Sequence, residues 1–255
     1  MDGGSMRIAG LSARPPRAED VATALSGATA LLGQRPAVTA LGPAGRREQG
    51  FASLAGWVAK GANLLALELG IGPGGRVAVA GAPGWPLAAV TLSAWWVGAT
   101  VVPVTVAGPV DVSILHVTTP RDGRSGDLMW FGDALDGTGD PRDSAGEQWT
   151  DAVTPHGDRP PSPARDGDLV AFVDGSGTSM TQRALLAALA GDEGGVLGVE
   201  RRGDDDVLER PDAARFLAAL ALRPLVTGAA TVVVAQDDTQ RDAHAQAERI
   251  TRWYE

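Results

Sequence analysis

The sequence predicts an α/β fold, a mainly parallel sheet with flanking helices. Three observations carry that expectation. Helical and strand-like segments alternate along much of the chain. The strand-like runs at residues 76–80, 100–106 and 231–235 are apolar but for Arg76 and three threonines and do not alternate, the pattern of strands covered on both faces. Clusters of glycine and proline punctuate the boundaries between segments.

Residues 1–18 read as a flexible lead, with Met6 as an alternative start after the short extension 1–5. A first helix is predicted over residues 19–32. Arg14 and Arg17 precede its apolar stretch, as they would in a secretory signal, but Glu19 and Asp20 stand directly before it. Two acidic groups there suit the positive end of a helix dipole, so the segment is read as a helix and the protein as cytoplasmic. Residues 39–47 read as a Gly/Pro-punctuated connection. Phe51, Leu54, Ala55, Val58, Ala62, Leu65 and Leu69 recur at steps of three and four, which predicts an amphipathic helix over 51–69. Gly70 and Gly72-Pro73-Gly74-Gly75 end it. A strand follows at 76–80, then a turn at 81–86. Residues 85–97 are apolar nearly all round and predict a buried helix. Gly98 breaks it, and strands follow at 100–106 and 111–117. Residues 19–119 thus make a first α/β subdomain.

Residues 120–168 differ. Of the 49, 10 are Asp, 8 Gly and 6 Pro, a composition unlike a core layer. They predict a surface excursion with a short ordered piece near 128–135, pinned to the body by Trp130 and Phe131. A second α/β part covers 169–255. It has a strand at 169–173, a loop at 174–179 and a helix at 181–190, then a polar, acidic stretch at 191–206. A helix at 211–227 interrupted at Pro224, a strand at 231–235 and a closing helix at 239–253 complete it.

Composition excludes several chemistries. None of the 255 residues is Cys, which removes disulfides, thiolate zinc sites, iron–sulfur ligation and a Cys nucleophile. The net charge is −9 with no basic block, which argues against nucleic acid and against anionic membranes as partners. No apolar run reaches the roughly 18 residues of a membrane-spanning helix. Lys60 is the sole lysine beside 21 arginines, a bias that GC-rich codons favour. His116, His156 and His244 lack metal-ligand spacing, and Asp204-Asp205-Asp206 and Asp237-Asp238 read as solvated loop charges, so no metal site is expected. No residue is assigned a catalytic role.

One loop stands out: Asp174-Gly175-Ser176-Gly177-Thr178-Ser179, between a predicted strand and a predicted helix. Gly175, Ser176, Gly177, Thr178 and Ser179 could turn N–H groups and hydroxyls toward an anion at the helix N-terminus. The same residues also make an ordinary turn, and the loop alone leaves both readings open.

Leu69-Gly70-Ile71-Gly72-Pro73-Gly74-Gly75-Arg76-Val77-Ala78, and later Gly98-Ala99-Thr100-Val101-Val102-Pro103, resemble the ordered N-terminal motifs of the adenylate-forming superfamily of acyl-CoA synthetases, adenylation domains and luciferases. Ser176-Gly177-Thr178-Ser179 then falls where that family carries its phosphate loop, and Leu225–Val233 resembles the family segment rich in Gly-Ala and valine. The chain is also similar to short actinobacterial-type proteins of twilight similarity to AMP-binding enzymes. The resemblance implies a truncated N-terminal-domain-like fold and ATP or AMP as the ligand of the loop.

The phosphate loop departs from the family pattern. Read without gaps, Met180 and Ala184 replace glycines and Arg183 replaces lysine. Read with a deletion, Thr181-Gln182-Arg183-Ala184-Leu185-Leu186 is the start of the following helix. What the family carries later (the adenine loop, the magnesium-associated and ribose-binding acids, the hinge, the C-terminal domain with its lysine) has no counterpart before Glu255. The expectation is therefore a non-catalytic relic acting as a binding or assembly module, with weak nucleotide or acyl-ligand affinity. The alternative is half of a split adenylate-forming ligase completed by a partner chain, and an unrelated α/β protein is the third reading. Incomplete cover of the sheet predicts a homo-oligomer or a protein partner.

Overall fold

The structure, a computed structural model, describes residues 14–42, 45–106, 108–119, 127–132, 134, 136–139, 146–201, 207–235 and 241–254. The expectations for residues 1–13, for Asp204-Asp205-Asp206 and for Asp237-Asp238 lie outside the described residues.

Helix α1 (Val21–Leu32) begins where the Asp20 carboxylate accepts from the Thr23 N–H and hydroxyl, so one of the acidic residues before it acts as its cap. Strands β1 (Pro36–Gly42) and β2 (Gly45–Gly50) then form an antiparallel hairpin. The sequence reading of 39–47 as a mere connection is corrected here. β1 is held by a partner almost 200 residues away, which no local pattern announces. Helix α2 (Phe51–Asn63) passes into a wider π turn over Leu64–Glu68, completing the predicted amphipathic span. β3 (Arg76–Ala80), α3 (Trp85–Val97), β4 (Thr100–Pro103) and β5 (Val112–His116) follow as the apolar runs predict.

The next stretch is also corrected. Within 120–168 lie β6 (Asp127–Phe131), β7 (Glu147–Gln148) and α4 (Trp149–Val153). β6 pairs in parallel with β5, and Trp149 and Val153 are buried, so much of the segment is part of the body. Its Asp, Gly and Pro residues crowd the connections, and the short ordered piece expected near 128–135 includes most of β6, while β7 and α4 were not anticipated. Phe131 does pin it, packing edge-on against His116 at 5.5 Å between ring centres.

β8 (Val170–Val173), β9 (Ser179–Thr181) and α5 (Gln182–Ala188) come next. β10 (Val196–Arg201) occupies the stretch expected to be only polar and acidic. α6 (Ala213–Leu217), a π turn over Ala218–Leu222 and α7 (Arg223–Thr227) carry the helix past Pro224. Proline has no N–H to donate, and the widened turn just before it absorbs the mismatch. β11 (Thr231–Ala235), α8 (Arg241–Ala247) and β12 (Ile250–Trp253) end the described chain. The expected closing helix therefore stops early. Arg249, at φ 56°, turns the backbone, and Ile250 onward pairs with β10.

The described strands form two sheets, β7-β6-β5-β3-β4-β8-β9 and β12-β10-β11-β1-β2. Every pairing is parallel except β1–β2 and β8–β9 at two edges. The mainly parallel α/β expectation holds. Each sheet draws strands from both halves of the chain. Helix α3 contacts β4 of one sheet and β1 of the other, and packs along α1 and α2.

Two buried polar groups fasten this arrangement. Gln182 is 0% exposed; its Oε1 accepts from Val21 N at 2.9 Å and its Nε2 donates to the Trp95 carbonyl at 2.8 Å. Arg223, 1% exposed, donates to Asp192 at 2.9 and 3.2 Å and to the carbonyls of Gly194 and Gly195. Arg252 of β12 donates to the same carboxylate. Burial pushes the Asp192 carboxyl up, but the Arg223 hydrogen bonds, the Gly194 N–H and Arg252 outweigh it and hold the carboxyl below its usual value.

Gln182→Leu orphans two buried backbone groups at about 1–3 kcal/mol each. Urea unfolding should show a loss on the order of 3 kcal/mol, on the same reasoning. Asp192 has a depressed folded pKa, so its contribution is complete above the unfolded value of about 3.9 and is lost as pH falls through the folded value. Asp192→Asn should destabilise by about 3–5 kcal/mol at pH 7. Thermal melts from pH 6 to pH 2.5 should then fall less steeply for the variant than for the parent.

Candidate functional site

The predicted loop sits at the tip of the β8–β9 hairpin. This corrects the expected strand-to-helix junction. β9 intervenes, and the first turn of α5 is capped instead by Thr181, whose hydroxyl accepts from Ala184 N. Gly175, Ser176, Gly177, Thr178 and Ser179 are all exposed, and Gly177 takes φ +84°, a left-handed conformation glycine adopts without strain.

The donors of the turn converge on its own first residue. Asp174 Oδ1 accepts from Ser176 N at 2.8 Å, Ser176 Oγ at 2.6 Å and Thr178 N at 2.9 Å. Ser176 Oγ also lies 2.9 Å from Thr178 Oγ1. Gly177 N donates to the Asp174 carbonyl at 3.0 Å. The Ser176 hydroxyl, then the Thr178 N–H, hold the Asp174 carboxyl below its usual value. The turn therefore already holds a carboxylate among the donors that a phosphate would need. A cavity of about 230 Å³ lies beside it, lined by Phe172, Asp174, Thr178, Asp212 and Arg215 among others.

The other candidates are placed elsewhere. Arg183 ion-pairs with Glu19 and with Asp168 at 3.0 Å, tying α5 to the entry of α1. Lys60 donates to the His156 carbonyl at 2.8 Å and pairs with Asp158 at 2.9 Å. It borders a separate groove of about 740 Å³ between α1 and α2, walled by Leu25, Val58 and Trp96. His156 pairs with Glu68, and among the described residues no cluster of His, Asp and Glu could hold a metal ion. Among the same residues no helix is long and apolar enough to cross a membrane.

Sequence reasoning missed one constellation. Arg215, Arg223 and Arg252 border a cavity of about 460 Å³ between α5, the α6–α7 helix and β12. A hint was present in Arg223, a lone charge in an apolar helical run, but residues 215, 223 and 252 meet only through folding.

Comparison with known proteins bears on the class first. No protein-family model matches the chain. Solved structures do. A Brucella canis acyl-CoA synthetase superposes with a TM-score of 0.65 at 19% identity, over 87% of this chain and 44% of its own. A Mycobacterium tuberculosis fatty acyl CoA synthetase gives 0.66 at 14% identity, over 92% and 49%. A fatty acyl-adenylate ligase from L. pneumophila gives 0.64 at 14%, over 93% and 44%. The fold is that of the N-terminal part of the adenylate-forming enzymes, and the chain spans less than half the length of each of these three. A further match is local. A curated protein of Mycobacterium tuberculosis (strain ATCC 25618 / H37Rv) is 46% identical over 54 residues, 21% of this chain and 22% of that protein.

Asp174→Ala removes the internal carboxylate and frees the N–H groups of Ser176 and Thr178. Titration calorimetry should show inorganic phosphate binding the variant at least about tenfold more tightly than the parent.

Proposed function

We propose that this chain is a non-catalytic binding module built on the N-terminal part of the adenylate-forming fold, a relic of that chemistry. The observation that carries the reading is the occupied turn. Adenylation joins a carboxylate to the α-phosphate of ATP, and its catalysis rests on positioning the phosphates and stabilising their charge. Here the donors at the matching place point to Asp174, whose own charge repels a phosphate. Arg183, which stands at the family's lysine in the ungapped reading, is paired with Glu19 and Asp168, and Lys60, the sole lysine, lies far off on α2 and is paired with Asp158.

In this reading Gly175, Ser176, Gly177, Thr178 and Ser179 retain weak ATP or AMP affinity and drive no turnover. The ligand that matters is of the acyl class, in keeping with the acyl substrates named for the structural neighbours. The module works in the cytoplasm, as a homo-oligomer or with a partner chain.

Pyrophosphate exchange into ATP across a panel of carboxylic acids tests this directly. The expected result is no exchange above background. Exchange by the chain alone would overturn the reading. Exchange that appears only on adding a second chain bearing the later family segments would establish the split ligase instead.

A further inference from the structure

We propose that the outer face of α1 and α2 is where two copies of this chain meet, with the two α1 helices antiparallel about a two-fold axis. The inference rests on the binding-module reading and deepens it by naming the partner as a second copy and the surface that receives it.

Charge is the first ground. Of the 255 residues 21% are charged, and the net charge is −9. α1 nevertheless has no charged residue in 12, and α2 has one in 13, Lys60, which Asp158 neutralises at 2.9 Å. Two copies of an acidic protein repel over most of their surface. An uncharged face lets them touch without burying an unpaired charge, and depletion of charge marks the core of an interface.

The ends of α1 carry opposite signs. Glu19 and Asp20 precede it, and Arg35, exposed and in no ion pair among the described residues, follows it. An antiparallel two-fold sets the acidic end of each α1 against the Arg35 end of the other, and it aligns the two helix dipoles favourably. A face that is neutral in the middle and opposite at its ends is complementary to itself, and a second copy supplies that complement.

Shape is the second ground. α1 packs against α2, and the groove of about 740 Å³ runs between them. Ser26 and Ala30, both exposed and one turn apart, make a low ridge on α1 beside it. Side chains this short let the ridge of one copy enter the groove of the other at an interaxial distance of about 8 Å. The groove has room there: a Cβ on Gly56 would meet only Asp158 Oδ1, at 3.9 Å.

Area sets the strength. Helices of 12 and 13 residues are about 18–20 Å long and lie side by side, so the face covers roughly 400 Å² in each copy. That is about half of a standard interface, the size of a weak and concentration-dependent dimer.

Sedimentation velocity of the full chain from about 5 to about 500 μM tests the proposal, with a dissociation constant expected on the order of 50 μM. Ala30→Glu, at an exposed position of α1, puts a charge of each copy into the face and should weaken the dimer at least about tenfold. Ala30→Arg should do the same. A mixture of the two variants should recover the parent's association, because each charge then faces its opposite. Ala243→Glu, exposed on α8, adds the same charge elsewhere and should leave association unchanged. A parent that stays monomeric throughout, a dimer indifferent to Ala30→Glu, or one weakened equally by Ala243→Glu would each overturn the proposal. So would hydrogen exchange in residues 1–13 that quickens on Ala30→Glu substitution in a monomeric chain, which gives the face to the chain's own first residues. Pyrophosphate exchange is read separately, so failure of this interface leaves the non-catalytic reading intact.

Discussion

The side-chain amide of Gln182 sits where α1, α3 and α5 meet, and it answers a problem set by α3. All thirteen residues of that helix are buried, so no face of it can turn a polar group to water. Its polar atoms need partners inside the protein. The Trp95 carbonyl takes the Gln182 amide, the Trp95 indole donates to the Ala171 carbonyl, and Ser93 donates to the carbonyl of Ala89 one turn back. Close approach to α2 is made possible by Gly61, where a Cβ would stand 2.4 Å from Ser93 Oγ. Burying a helix this completely demands both sheets, and both sheets demand strands from both ends of the chain.

That interleaving shapes the candidate sites. β8 belongs to the same sheet as β3 and β4, which places the 174–178 turn at the edge hairpin. There it is exposed, and its donors fold back on Asp174. The arginine cavity, in contrast, lies where α5, the α6–α7 helix and β12 converge, and its chemistry comes from a buried charge. One location has donors already satisfied, and the other has one, the buried Nη1 of Arg223, without an acceptor.

Some elements were legible because their signal is local. The three-and-four spacing from Phe51 to Leu69 announces α2, the unbroken apolar run at 85–97 announces α3, and the valine-rich runs announce β3 and β11. β1, β10 and β12 escaped because they contain polar or glycine residues and owe their strand state to a partner, and β6 was legible only as a short ordered piece. β6 exists because β5 offers its hydrogen bonds, and β12 because β10 does. At the site, the five turn residues were legible as a turn rich in donors. Their occupant was not, because an aspartate opening a turn is ordinary and only the coordinates show where its carboxylate goes.

Hydrophobic spacing and motif order are properties of neighbouring residues, and they sufficed for the fold class, the main helices and the likeness to the adenylate-forming motifs. Absent cysteine and a single lysine were enough to exclude whole chemistries, since no folding can create a missing side chain. Strand order, the filling of the turn and the meeting of Arg215, Arg223 and Arg252 had to await three dimensions. Strand order depends on segments far apart in the chain, and the filling of the turn on where one carboxylate points within five residues; linear spacing encodes neither, because hydrogen bonds and charges obey distances in space.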